Sequence, residues 1–204
     1  MMSWITRAGP LELAGRRVRL RTLSEEDYEA WFALRVRCRD WLRPWEPRPS
    51  GAPPTAEDHA SFASRCAARE RERQLGGGFG FGTFLDRRLV GEITLSSIQR
   101  GPFQNGFLGY WTDRELAGQG LAPEAAAVVL QFAFEELELH RVEVAIVPRN
   151  AASLRVVDKL GIRFEGVATR FLEIDGRWED HARYAMTAEE WMIRREEILA
   201  HWMR

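Results

Sequence analysis

Residues 117–123 read AGQGLAP, with Gly118 and Gly120 set where an aromatic run gives way to a long apolar one. Backbone N–H groups that open a helix lack an intrahelical partner and lie at the positive end of the helix dipole, so this turn suits an anion. Small residues at Gly118, Gly120 and Ala122 admit a ligand close to the main chain, and the N–H groups from Gly118 through Ala122 are expected to be free for it. Pro123, with no N–H to offer, fits the first helical turn. Two phosphate motifs fail here. A dinucleotide fingerprint needs a third glycine where Pro123 stands, in a strand–helix–strand unit, and a P-loop needs a Lys-Ser/Thr pair after its last glycine. The alternative reading is that the glycines only let the chain reverse. Asn150 with Ser153 reads first as a helix N-cap and its first turn. His140, His181, Cys38 and Cys66 lack the close spacings of metal sites, redox pairs or nucleophile dyads, so no metal or covalent mechanism is indicated.

These residues need a frame. RRVRLRTL alternates in the two-residue period of a strand. Ser24 with Asp27 forms a capping box opening a helix that buries Tyr28, Leu34 and either Trp31 or Phe32. DWLRPWEPRPSGAPP holds five of the nine prolines and reads as a rigid extended loop. Thr55 with Asp58 is expected to cap a second helix running through ARERERQ, whose charges form a solvated face. FGFGTFL, RLVGEITLSSI and NGFLGYW follow as an antiparallel meander. The turn then leads into PEAAAVVLQFAFEEL, with Ala125, Val128, Val129, Phe132 and Leu137 on one helical face. RVEVAIV is a strand, residues 150–161 a short helix ended by Gly161, and two strands meet across Asp175 and Gly176. Thr187 with Glu190 opens a last helix, whose Trp191, Ile198 and Trp202 pack on its own core or on a second subunit.

The 204 residues are 45% hydrophobic, enough for one well-buried core, so a single domain over 1–204 is expected. A formal net charge of −1 supplies no field to draw the chain onto nucleic acid or an acidic membrane. No apolar run of about 18 residues and no leader pattern is visible, which points to a cytoplasmic protein. Lys159 is the only lysine, a bias that points to a GC-rich genome rather than to an activity.

The ordered landmarks LRPWEP, LGYW, GQGLAPEA, LHRVEVAIVPRNAASLRVVDKLGIRFEG and IDGRWEDH span nearly the whole chain. Together they resemble the GNAT acetyltransferases, in particular the RimJ/RimL branch that acetylates the N-terminal alanine of ribosomal proteins. The resemblance implies an α/β (α+β) GNAT fold: a mostly antiparallel sheet of about seven strands, helices on both faces, and a splay between its fourth and fifth strands. Those two strands are NGFLGYW and RVEVAIV, with the pantetheine of acetyl-CoA lying between them. The glycine turn then holds the pyrophosphate, and the cosubstrate site comprises Tyr110, Trp111, Ala117, Gly118, Gln119, Gly120, Leu121, Ala122, Asn150 and Ser153. No metal is implied. Members usually carry Gln or Arg where Ala117 stands, which leaves the contact here to backbone N–H groups.

Acetyl transfer needs a neutral amine, a stabilised oxyanion and a proton for the departing thiolate. The resemblance assigns the oxyanion to backbone N–H groups near Gly109 to Trp111. Many members supply the proton from a tyrosine at the position Val157 occupies here; the RimJ/RimL pattern Asn-x-x-Ser makes Ser153 the donor instead. For the catalytic base the candidates are Glu92, read as facing the same side as Val90 and Thr94, and Glu173 or Asp175; each also reads as a salt-bridge partner or turn former, and a water relay is the alternative. Trp41 and Trp45 are expected either to wall the acceptor groove or to cap a core edge. The expected acceptor is a protein N-terminus, such as a ribosomal protein's. A small-molecule amine is the alternative, and a CoA-binding or ribosome-associated module with little catalysis is a third reading. The protein is expected to be a monomer or homodimer.

Overall fold

The computed structural model describes residues 11–47 and 57–203. Eight strands form one sheet: β1 (Glu12–Ala14), β2 (Val18–Arg21), β3 (Phe79–Leu85), β4 (Arg88–Gln99), β5 (Asn105–Thr112), β6 (Arg141–Ile146), β7 (Arg163–Ile174) and β8 (Arg177–Thr187). Their order is β1-β2-β3-β4-β5-β6-β8-β7. Every neighbouring pair is antiparallel except β5 with β6. The strand beyond the expected set is β1, a three-residue pairing against β2 too short to show a period.

Helices α1 (Tyr28–Leu42) and α2 (His59–Gln74) join β2 to β3; α3 (Leu121–Gln131) follows β5, α4 (Ala151–Leu160) follows β6, and α5 (Ala188–Trp202) ends the chain. Trp31, Leu34, Cys38 and Phe62 of α1 and α2 form one apolar cluster with Phe84 and Leu89. A larger cluster joins α3 and α5 to Phe79, Phe81, Ile93, Leu95 and Leu108. The sheet is thus covered on both faces, and α5 buries Trp191, Ile198 and Trp202 against this chain's own core.

Several local expectations are refined. Ser24 and Asp27 do form a capping box, but it opens a single tight turn before α1, and Trp31 is buried while Phe32 is exposed. The side chain of Asp58 caps α2 by accepting from the Ser61 N–H at 2.8 Å; Thr55 lies outside the described residues. Of the proline-rich stretch, Asp40 to Leu42 belong to α1 and Arg43–Trp45 form one more helical turn, because Pro44 at the start of a turn forfeits no hydrogen bond. In β4, register shifts opposite Thr83 and Phe84, so Val90 is an extra residue turned into the large core while Glu92 faces α1 and α2. The run read as a solvated face of α2 turns Arg69 and Arg73 inward, each onto a carboxylate.

Helix α3 is buried on nearly every side, as the centre of a molecule requires of an alanine-rich apolar helix. It is tied to the sheet by Glu124, whose fully buried carboxylate accepts from the Arg17 and Val18 N–H groups and from Arg17 Nε at 2.8 Å. Removing that carboxylate leaves buried N–H donors unpaired. Glu124→Ala is therefore expected to lower unfolding free energy by about 3 kcal/mol or more, read from urea denaturation; an unchanged midpoint would contradict this anchoring.

Candidate active site

The parallel pairing of β5 with β6 stops after three residues: Asn105, Gly106 and Phe107 pair with Arg141, Val142 and Glu143. Beyond them β5 stays paired with β4 as far as Thr112, and β6 with β8 as far as Ile146, so a gap opens between two strands inside the sheet. A cavity of about 600 Å³ runs through that gap.

One end is built by the turn after β5. The Asp113 carboxylate, with no exposure, is gripped by Arg37 at 2.7 Å and Arg88 at 2.9 Å and accepts from the Glu115 N–H. Burial works to raise its pKa, but the Arg37 hydrogen bond and the Glu115 N–H outweigh it and hold the carboxyl below its ordinary range. From this anchor the chain passes through Ala117 to Gly118 and Gly120, each at φ +84°, a conformation that disfavours side chains. A Cβ at Gly118 would meet nothing within 4 Å, so this glycine leaves open space in front of the helix.

Ala117, Gly118, Gly120, Leu121 and Ala122 line the cavity. Gln119 does not: its N–H donates to the Leu116 carbonyl at 3.3 Å, its side chain turns to Glu115, and its carbonyl accepts from Arg17. The expectation of free N–H groups throughout 118–122 is corrected on that point. The N–H groups of Leu121 and Ala122 open α3 and take no intrahelical partner. Arg155 and Lys159, one helical turn apart on α4, line the same cavity and add positive charge. Neither was singled out for the site by sequence, although the only lysine of the chain was a signal within reach.

Midway along the gap, Tyr110 of β5 meets the first turn of α4. The Asn150 side chain caps that helix, accepting from the Ser153 N–H at 3.1 Å. Ser153 Oγ lies 3.2 Å from the Tyr110 hydroxyl, which in turn donates to the Ser153 carbonyl at 3.1 Å. Burial pushes the Tyr110 hydroxyl well above its ordinary pKa, so it stays protonated. Val157, where a tyrosine was looked for, is fully buried core; the phenol beside Ser153 comes from β5 instead.

The far end is walled by Trp41, Trp45, Trp111, Leu172 and Ile174. An isolated bridge from Pro47 to Ile174 and the Asp175 N–H on the Glu46 carbonyl stitch the Pro/Trp turn to the β7–β8 hairpin. Arg149 stacks over the Trp45 ring at 5.0 Å. His181, set aside on spacing alone, also lines this end, whereas Glu173 and Asp175 do not.

Glu92 lines the cavity but is 3% exposed and fully engaged. It accepts from Trp31 Nε1 at 2.8 Å, from Arg65 at 3.0 Å and from Arg69 at 2.6 Å. Burial alone would raise its pKa; Arg69, Arg65 and the Trp31 hydrogen bond outweigh that and hold it below the ordinary carboxylate range. A carboxylate so held resists taking up a proton, which suits an anchor better than a base.

An anion cradle at one end of a split sheet, a protonated hydroxyl pair in the middle and an apolar groove at the other end are the parts needed to move an acyl group from a CoA thioester to an amine. The chain belongs to the GNAT acetyltransferase family, whose acetyltransferase domain matches residues 17–163. It is 35% identical over 170 residues to a Bacillus subtilis protein named "Probable N-acetyltransferase YjcK", covering 83% of this chain and 93% of the relative. It is 30% identical to the ribosomal protein uS5-alanine N-acetyltransferase of Escherichia coli, over 75% of this chain and 78% of that one. Among solved structures, Mycobacterium smegmatis RimJ in complex with CoA-disulfide superposes with a TM-score of 0.85 at 33% identity, covering 95% and 92% of the two chains. The protein is an acetyl-CoA-dependent N-acetyltransferase with the GNAT fold. Among the described residues no group of side chains could hold a metal ion, and no helix is long and apolar enough to cross a membrane.

The lowered pKa of Glu92 has a consequence for stability. A carboxylate depressed by folding contributes stability above its unfolded value, near 4.5, and loses that contribution as pH falls towards its folded value. Glu92→Gln should therefore cost at least about 2 kcal/mol at pH 7. The difference from wild type should shrink in denaturation curves taken below pH ~4.5; a difference independent of pH would refute the ion-pair assignment.

Proposed function

We propose that this acetyltransferase moves acetyl directly from acetyl-CoA to the N-terminal α-amino group of a protein in the cytoplasm, a ribosomal protein with N-terminal alanine being the leading candidate, within one catalytic domain. The observation that carries this reading is the single cavity in which the split between β5 and β6 joins the glycine turn to a groove walled by Trp41 and Trp45. The name of the Escherichia coli relative supports the choice of acceptor. Chemistry supports it too: at neutral pH an α-amine of pKa about 7.7–8 has a neutral fraction several hundred times that of a lysine amine near 10.4.

In this reading Gly118, Gly120 and the N–H groups of Leu121 and Ala122 hold the pyrophosphate, with Arg155 and Lys159 adding charge. Ala117 contributes no side-chain donor. Backbone N–H groups around Gly109 to Trp111 face the thioester carbonyl and stabilise the oxyanion. Ser153, held by the Asn150 cap and hydrogen-bonded to Tyr110, passes a proton to the departing thiolate, and Tyr110 replenishes it. Glu92 acts by fixing Arg69 beside the acceptor groove rather than by accepting a proton. Trp41, Trp45 and Trp111 supply flat apolar surface for an extended chain end.

Thiol release from acetyl-CoA should appear with peptides beginning Ala, Ser or Met. Turnover confined to small-molecule amines would replace the protein acceptor, and binding of acetyl-CoA without turnover would leave only a binding module. Ser153→Ala should lower kcat about tenfold or more with little change in KM for acetyl-CoA, and Tyr110→Phe should act in the same direction. Undiminished turnover in Ser153→Ala would reduce that residue to a helix-end partner.

A further inference from the structure

His181 lies on β8 at the acceptor end of the cavity, 2% exposed, with its ring edge-on to Phe171 at 5.7 Å. Its Nδ1 is 3.0 Å from the Glu179 carbonyl. A carbonyl can only accept, so Nδ1 carries the proton and Nε2 of the neutral ring keeps a lone pair. No hydrogen bond from the described residues uses Nε2.

The carboxylates around it are already committed. Glu92 is held by Arg65 and Arg69, Glu46 by Arg35, Glu179 by Arg149, and Glu143 by Arg183 and Arg141. The cations near this end are Arg69 from α2, which lines the cavity, Arg149, which stacks over Trp45, and Arg183 of β8, which packs on the same Phe171 ring as His181, while Arg155 and Lys159 of α4 line the cavity beside the glycine turn. Among these groups the imidazole is the one with an uncommitted lone pair.

We propose that His181 is the base that deprotonates the acceptor amine; the proposal rests on direct transfer to an amine in this cavity. One proton of the ammonium passes to Nε2, giving an imidazolium whose Nδ1–H stays on the Glu179 carbonyl. The amine nitrogen then bonds to the thioester carbonyl carbon and the C–S bond breaks. The second amine proton reaches the thiolate through the Ser153 and Tyr110 hydroxyls, and the imidazolium loses its proton to solvent. The products are the amide, CoA thiol and one released proton.

The test is a profile of kcat/KM against pH with an N-terminal alanine peptide, comparing wild type with His181→Asn. Asn can keep a donor on the Glu179 carbonyl while removing the basic nitrogen. The variant should lose about a hundredfold at pH 7. That loss should shrink towards pH 9, where the acceptor deprotonates unaided, and the Kd for acetyl-CoA should be unchanged. An undiminished rate at pH 7, or a loss equal at every pH, would overturn the proposal. If His181→Asn does not fold, His181→Gln is measured in the same way. Should wild type turn over a small amine but no peptide, the protein-acceptor reading fails while the same profile, run with that amine, still decides the role of His181.

Discussion

The parting of β5 from β6 after Phe107 and Glu143 is the constraint on which the rest of the molecule depends. Inside a sheet, each strand ordinarily satisfies its N–H and C=O groups on both sides. Here Leu108 to Thr112 keep only β4, and Val144 to Ile146 keep only β8, so the two facing edges offer their hydrogen-bonding groups to whatever enters. An extended ligand with amides of its own can meet such edges as a strand would. Because α3 is the next long helix after β5, reached through the glycine turn, and α4 follows β6, the split also delivers two helix N-termini to the same gap.

A gap within a sheet must be held open, and three buried carboxylates do this from different sides. Asp113 fixes the end of β5 between Arg37 and Arg88; Glu124 fixes α3 to β2; Glu92 joins β4 to α1 and α2 through Trp31, Arg65 and Arg69. Each is worth little as a net gain over an apolar packing, but breaking one partnership strands a buried charge. The arrangement confers rigidity on a cavity whose chemistry depends on fixed donors.

The sheet, its helices and the glycine turn were legible in sequence because each rests on local pattern: alternation, capping pairs and left-handed glycines. The site was legible in part. Gly118, Gly120, Leu121, Ala122, Tyr110, Trp111, Asn150, Ser153, Trp41 and Trp45 do line one cavity. Three features were not, and all depend on tertiary placement. The inward turn of Arg69 looks like a solvated charge run until β4 brings Glu92 beneath it. The bulge at Val90 changes which side chains share a face with Glu92. His181 has no informative spacing, since its place in the site depends on β7, whose Phe171 packs on its ring, and on the cavity that only the assembled sheet creates. Gln119, placed in the set by the resemblance, does not line the cavity; its N–H and side chain bond to the Leu116 and Glu115 carbonyls.

In the proposed reading the open N–H groups at the glycine turn receive the phosphates of acetyl-CoA while its acyl end lies in the gap between β5 and β6. Amide resonances of isotopically labelled protein, followed during titration with acetyl-CoA, address it most directly. Large shifts at Gly118, Gly120, Leu121 and Ala122 together with residues 108–111 and 144–146, and little change at Gln119, are expected. Saturable binding that leaves the turn and both strand edges unmoved would contradict it.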